Sequence, residues 1–393
     1  MSPAGQLVVT EAGVGLRRLL VVHASAELYG SDRALLESVR ALQARGCATV
    51  VALPHDGPLV GELSATGAEV RIVPTVVLKK ADASLLGLLR VCGVALRVLP
   101  GNVRLVWSCR AQLIYVNTVA IPLWLPLARL LRLPSVCHVH EAEEGLPAPV
   151  ALLMALPLLL ARHVLVNSLA ARALLLRTAP RLVSRTSVLY NGVPGPAAAT
   201  PPRAQPARPA RLVLVGRLAP RKGTDVAVAA AAELHRRGVP VFLQLVGSVG
   251  PGLEAFEQEL RETVAGAGLD AVVGFAGFQT DVWPLLAAAD IVLVPSRAEP
   301  FGNVAVEAAL AGRPVVASRV QGLQEIVRHG ATGLLVAPDD PLGLAEAVLE
   351  LLGDWARAKT MAAAAATQAH ERFGVDRYAA ELHLQLERSA APP

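Results

Sequence analysis

Residues 291–307 read IVLVPSRAEPFGNVAVE. Four branched apolar residues run without a polar break, Pro295, Pro300 and Gly302 shape a loop, and a helical period then continues to Gly312. A short apolar run bounded by turn residues is the signature of a strand buried on both faces, the kind found where helices cover a parallel sheet. Outward from this segment the same alternation repeats. Runs at 19–22, 48–53, 70–73, 113–116, 135–138, 163–167 and 187–190 read as strands of a first unit. Runs at 211–215, 242–246, 272–275, 291–295, 315–317 and 333–336 read as strands of a second. Longer Ala- and Leu-rich stretches of helical period separate them, which predicts an α/β chain with two doubly wound, Rossmann-like sheets. Loops after strands then carry the chemistry, because ligands of such sheets bind beyond the strand C-termini, here in a cleft the two units share.

Two units also fit the 393 residues, since a single core stops growing near roughly 250–300 residues. The composition, 53% apolar and 18% charged, excludes extended disorder over the body of the chain. Six prolines (194, 196, 201, 202, 206 and 209) mark a stiff, solvated linker. The expected organisation is a first Rossmann-like unit at 1–195, a linker at 196–210, a second at 211–370 and a helical tail at 371–393 able to pack back on the first unit. Cys47, Cys92, Cys109 and Cys137 show no C-x-x-C spacing, which suggests a reducing compartment. Residues 1–16 include Glu11 and lack a basic start followed by an apolar run, so no export signal is expected there. The apolar stretch 145–161 is broken by Pro147, Pro149 and Pro157, and reads as a buried, interrupted helix rather than a membrane span.

Charge is unevenly placed. Residues 1–195 hold 19 Lys and Arg against 11 Asp and Glu, and 196–393 hold 18 against 21. Within 71–135 nine basic residues face a single acid, Asp82, which implies an anionic partner. Nucleic acid is disfavoured, because only Trp107, Tyr115 and Trp124 interleave that patch and could stack on bases. The stretch 84–98, from Ser84, is apolar, with Arg90 and Arg97 seven apart and Lys79 and Lys80 just ahead. It reads either as a face that docks on an anionic membrane or as a helix covering the first sheet with its arginines in water.

Two loops of the second unit gather chemistry. LVLVGRLAPRKG (212–223) sets Gly216 and Arg217 at a strand end with Lys222 close behind, a planar fork and a mobile charge suited to two adjacent phosphates. In the opening segment the backbone N–H groups of Gly302, Asn303 and Val304 would form a helix N-terminus open to a phosphate. Glu299 and Glu307 flank it and can accept hydrogen bonds from sugar hydroxyls. In the first unit, His138 and His140 are spaced to share one side of a strand, with His138 a hydrogen-bonded, satisfied core residue and His140 exposed at the cleft. Glu141, Glu143 and Glu144 follow, but without a third histidine or a cysteine pair no metal site is expected. LVGSVGPG (245–252) has the order G-x-x-G-x-G, not the dinucleotide fingerprint.

Glu299 and Glu307 form E-x7-E inside EPFGNVAVEA, preceded by GRLAPRKG and followed by GRPVVAS and GATGLLVAPDDP. With Tyr29-Gly30-Ser31-Asp32, HVHE (138–141), VNS (166–168) and YNGV (190–193), the chain resembles glycosyltransferase family 4, retaining enzymes of the GT-B fold. The resemblance implies that Arg217 and Lys222 grip a diphosphate, Glu307 accepts from ribose hydroxyls and Glu299 holds the transferred sugar beside the amides of Phe301 to Val304. It further implies that Gly30 admits the phosphate and that His140 stands beside the reacting carbon. Tyr29-Gly30 and Gln321-Gly322 stand where many relatives carry paired glycines. The implied activity takes a sugar from a UDP- or GDP-linked donor, without metal or cofactor, to a lipid-linked, polysaccharide or small-molecule acceptor, in the cytoplasm or at the inner face of the plasma membrane. Rival readings are an epimerase or hydrolase of sugar nucleotides on the same fold and, in another class, a protein binding anionic polymers through its basic patch.

Overall fold

The computed structural model describes residues 16–78, 85–141, 148–198, 200–250 and 252–391. Lys79, Lys80, Asp82, Ser84, Glu143, Glu144 and residues 1–15 lie outside them. The first unit runs β1 (Arg18–Val22), α1 (Gly30–Ala44), β2 (Ala48–Leu53), α2 (Pro58–Ala65), β3 (Glu69–Ile72), α3 (Leu85–Cys109) and β4 (Leu113–Val116). It continues with α4 (Trp124–Leu130), β5 (Ser135–Val139), α5 (Ala148–Ala155), β6 (His163–Val166), α6 (Leu169–Thr178) and β7 (Thr186–Val188). The second runs β8 (Ala210–Val215), α7 (Thr224–Arg236), β9 (Val241–Val246), α8 (Glu254–Gly266), β10 (Val273–Gly277), α9 (Trp283–Ala288) and β11 (Ile291–Val294). It ends with α10 (Asn303–Leu310), β12 (Val315–Ser318), α11 (Leu323–Ile326), β13 (Leu334–Val336), α12 (Pro341–Gly353), α13 (Trp355–Phe373) and α14 (Val375–Ala390).

Every strand expected from the apolar runs forms, within two residues of its expected bounds. The sheets are ordered β3-β2-β1-β4-β5-β6-β7 and β10-β9-β8-β11-β12-β13, with all pairs parallel. Val, Leu and Ile fill the strands because both faces are covered: Leu19, Leu20, Val21, Ile114 and Val292 have essentially no exposed surface. Pro157 converts the stretch after α5 into a tight 3-10 turn, Leu156–Leu160, so the apolar run is interrupted as expected. It is not buried as expected: Leu152, Leu153, Leu156 and Leu160 are exposed at the surface. Among the described residues no helix is long and apolar enough to cross a membrane.

The proline-rich linker from Pro194 to Pro209 lies at the surface but is pinned to the second unit. Arg203 reaches Asp290 at 3.0 Å, Trp355 Nε1 donates to the Arg203 carbonyl at 2.9 Å, and Arg313 donates to the Thr200 carbonyl at 2.6 Å. α13 packs against α10, and at Gly374 the chain turns into α14, which lies over the first unit against α1. Tyr378, Leu382 and Leu386 enter the core built from Leu19, Val21, Leu35 and Tyr115, and the Tyr378 hydroxyl meets Ser38 Oγ at 2.5 Å. The first unit is therefore completed by the chain's last helix. Leu382 is fully buried, so Leu382→Ala should destabilise the protein by about 2–5 kcal/mol, read as a lower urea midpoint; an unchanged midpoint would show that α14 is a loose appendage.

Candidate active site

In each sheet the chain leaves its first strand in one direction and later returns to the other side, so the loops at the β1/β4 and β8/β11 boundaries diverge and open a crevice. The two crevices face each other across a cleft of about 770 Å³. Gly30, His140, Gly216, Arg217, Lys222, Glu299, Phe301, Gly302, Asn303, Val304 and Glu307 all line it. The residues singled out in the sequence thus converge on one site.

On the second-unit wall, Gly223 adopts φ +66°, and a Cβ there would sit 1.9 Å from the Pro295 carbonyl oxygen. This close approach presses the loop after β8 onto the end of β11 and brings Lys222 to Glu299, with which it forms an ion pair. Gly302, at φ +119°, makes the turn that starts α10. Glu299 is fixed further by Ser296 Oγ at 3.3 Å and by its own N–H donating to Gln321 Oε1 at 2.8 Å. Burial pushes the Glu299 carboxyl up, but Lys222 and Arg221 outweigh that and hold it below its ordinary value. Glu307 is the opposite case: burial raises it, and Arg33 and Lys222 offset only part. Phe301 turns its ring into the core against Phe373, 5.5 Å between centroids, which leaves only its backbone for a ligand.

The first-unit wall differs from expectation at both histidines. His140 lines the cleft but is buried, at 9% exposure. His138 is not fully satisfied: its Nδ1 meets the Tyr115 hydroxyl at 2.6 Å, but its Nε2 has no partner. Burial pushes His138 down to about 3 and, with His138 and His23 nearby, holds His140 well below its ordinary range, so both rings are neutral. Glu141 turns away from them to Thr118 Oγ1 and the His140 N–H. Among the described residues no group of three His, Cys, Asp or Glu is arranged to hold a metal ion.

Residues without a distinctive motif join the two walls. Tyr29 lies under the Arg217 guanidinium, 4.1 Å from ring centroid to Cζ, with its hydroxyl 3.3 Å from Ser248 Oγ. Arg33 reaches Glu307 at 3.5 Å and the Thr280 carbonyl at 3.3 Å. Asn303 donates to the Gly30 carbonyl at 3.5 Å and accepts from Asn191 at 2.9 Å. Glu325, from the second unit, sits at the N-terminus of α6, accepting from the N–H groups of Leu169 and Ala170 and from the Tyr190 hydroxyl, each at 2.9 Å. Tyr29, Asn191 and Asn303 lie in segments that the sequence marks and Arg33 directly follows one, but neither Arg33 nor Glu325 carries a signal of its own.

Two family models match this chain, Glycosyltransferase Family 4 over residues 29–194 and Glycosyl transferases group 1 over 209–354. The chain belongs to glycosyltransferase family 4. Its two facing sheets are the GT-B fold of that family. Anabaena HepE, crystallised with UDP and glucose and with UDP-glucose, superposes with TM-scores of 0.78 and 0.79 at 25% identity, covering 94% of this chain and 99% of that one. Among curated proteins, a Mycobacterium tuberculosis glycogen synthase is 36% identical over 215 residues, 53% of this chain and 50% of its own. A D-inositol 3-phosphate glycosyltransferase of Nocardia farcinica is 42% identical over 155 residues, 38% and 34% respectively. The chain thus spans about half the length of these curated relatives, or less. In this family 4 member Glu325 is the polar bridge that caps a first-unit helix from the second unit. Glu325→Ala removes hydrogen bonds of roughly 1.5–3 kcal/mol to a charged group, and should raise the radius of gyration measured by small-angle scattering; an unchanged radius would show that the other contacts hold the units together without it.

Proposed function

We propose that this family 4 chain is a retaining, metal-independent glycosyltransferase that moves a sugar from a UDP- or GDP-linked donor to an acceptor bound by the first unit. One observation carries the reading: Arg217, Arg221 and Lys222 converge with Glu299 and Glu307 on a single cleft. Breaking a glycosyl phosphate bond requires neutralising charge on the departing diphosphate, which fixed cations and a helix N-terminus do without a metal. Lys222 now balances Glu299, and Arg217 rests on Tyr29. A diphosphate offers both cations a stronger, charge-assisted partner. Glu307 then takes the ribose hydroxyls, Glu299 the sugar hydroxyls, and the amides of Phe301 to Val304 and the Gly30 backbone close on the donor, with His140 beside the reacting carbon. Glu299 and Glu307 are committed to binding, so attack comes from the face the diphosphate leaves, and its oxygen takes the acceptor proton. An epimerase or hydrolase is separated from this by labelled donor assayed with and without acceptor extract.

Arg217→Ala and Lys222→Ala should each lower transfer by more than about tenfold, from loss of roughly 1.5–3 kcal/mol at the diphosphate. EDTA should leave the wild type active; activity lost in EDTA and restored by Mg²⁺ or Mn²⁺ would refute the metal-free reading, and full activity in either variant the phosphate site.

The acceptor side is proposed to face an anionic membrane and a lipid-linked acceptor, with the protein peripheral on the cytoplasmic leaflet. The outer side of α3 supports this: Arg90, Arg97 and Arg104 recur every seven residues and are exposed, beside Leu96 at 73% and Trp107 at 70% exposure. Tyr115 and Trp124 are in the core, which leaves Trp107 alone of the three patch aromatics at the surface and argues against base stacking. Flotation with anionic but not neutral liposomes is expected, weakened by salt, by Lys79/Lys80→Glu and by Arg97/Arg104→Glu; no flotation at low salt would point to an acceptor in solution.

A further inference from the structure

Four strands that neighbour one another in the first sheet, β1, β4, β5 and β6, are each followed at once by a polar residue: His23, Asn117, His140 and Asn167. All four are buried, with 0–9% exposure, and hydrogen bonds run along the row. Asp32 Oδ1 meets His23 Nε2 at 2.9 Å, Asn117 Nδ2 meets His23 Nδ1 at 3.2 Å, and His140 Nε2 meets Asn117 Oδ1 at 3.0 Å. The carboxylate at the head of the row can only accept, and Asn117 turns its amide nitrogen to His23 and its oxygen to His140, so each proton along the row has one place. His23 donates from Nε2, its Nδ1 accepts from the Asn117 amide, the Asn117 oxygen accepts from His140 Nε2–H, and His140 Nδ1 is left as a lone pair. Asp32 Oδ2 also accepts from the Tyr29 N–H at 3.0 Å, which ties the row to the start of α1 beside Gly30.

The two neighbouring asparagines are polarised the same way. Asn167 Nδ2 donates to the His140 carbonyl, 3.5 Å, and Asn191 Nδ2 to Asn303 Oδ1, whose own amide nitrogen donates to the Gly30 carbonyl. His140 Nδ1, Asn167 Oδ1 and Asn191 Oδ1 are buried and without partners, and all three residues line the cleft. Buried acceptors left in this state call for donors from a ligand. We infer that Asp32, acting through His23 and Asn117, fixes His140 as the Nε2–H tautomer, so that the first-unit wall presents three hydrogen-bond acceptors to hydroxyls of the transferred sugar. Asp32, His23 and Asn117 are positioning residues. The inference rests on the glycosyl-transfer reading for the ligand, and on geometry alone for the tautomer.

The test reads the two separately. In 15N NMR of histidine-labelled protein, with His140 assigned by His140→Gln, the wild type should carry its ring proton on Nε2, and Asp32→Asn should abolish that single tautomer. With the best donor from a panel of UDP- and GDP-linked hexoses, Asp32→Asn and Asn117→Leu should lower kcat by about tenfold or more while affinity for the matching nucleoside diphosphate stays within about twofold. A proton on His140 Nδ1 in the wild type, or an Asp32→Asn protein with the tautomer and kcat unchanged, overturns the relay. An Nε2–H tautomer in a wild type that turns over no sugar nucleotide keeps the relay and overturns the sugar assignment.

Discussion

A parallel strand cannot be followed by its neighbour through a tight turn; the chain must cross over through a helix and re-enter the sheet from the same end. Every strand in both sheets obeys this, so all loops that follow strands gather at one edge of each sheet. Adjacent strands lie about 4.8 Å apart, close enough for side chains just past their ends to bond sideways. On that spacing hang the His23, Asn117, His140 and Asn167 row of the first sheet and the pairing of the loops after β8 and β11 in the second.

Burying so much polarity is costly unless each charge is matched, and the two units meet that cost differently. The second unit concentrates charge: Lys222 and Arg221 hold the Glu299 carboxyl low against its burial, and Arg33 partly offsets the burial of Glu307 from across the cleft. In the first unit the wall behind His140 is built from two histidines and three asparagines, with Asp32 as its anchor. The two walls of the cleft are therefore of different character.

The strands were legible because a buried parallel strand must be apolar on both faces, which leaves uninterrupted runs such as LLVV and IVLV in the sequence. The second-unit site was legible because its charges sit within two short loops, Arg217 to Lys222 and Glu299 to Glu307. The first-unit wall was legible only in part. Asp32, in the first turn of α1, and Asn167 lie in segments the sequence marks, but His23, Asn117 and Asn167 follow strands far apart in sequence, and no spacing rule links residue 23 to residue 117. The position just after a buried strand is the signal that could have found them. His140 lines the cleft as expected but is buried rather than exposed, and Arg33 meets Glu307 only through the docking of α1 on the second unit.

The two units are joined by contacts of two kinds, and the difference bears on how a ligand enters. At one edge α14 locks into the first core with Tyr378, Leu382 and Leu386, apolar contacts that a sugar nucleotide cannot replace. At the cleft the joints are polar: Arg33 on Glu307, Asn303 on Gly30, Tyr29 on Arg217. Each of these can be exchanged for an equivalent contact with a ligand, a phosphate for an aromatic face or a hydroxyl for an amide, at small net change in free energy. Contacts that a ligand can replace are thus confined to the cleft, while the helix that returns from the second unit packs into the core of the first.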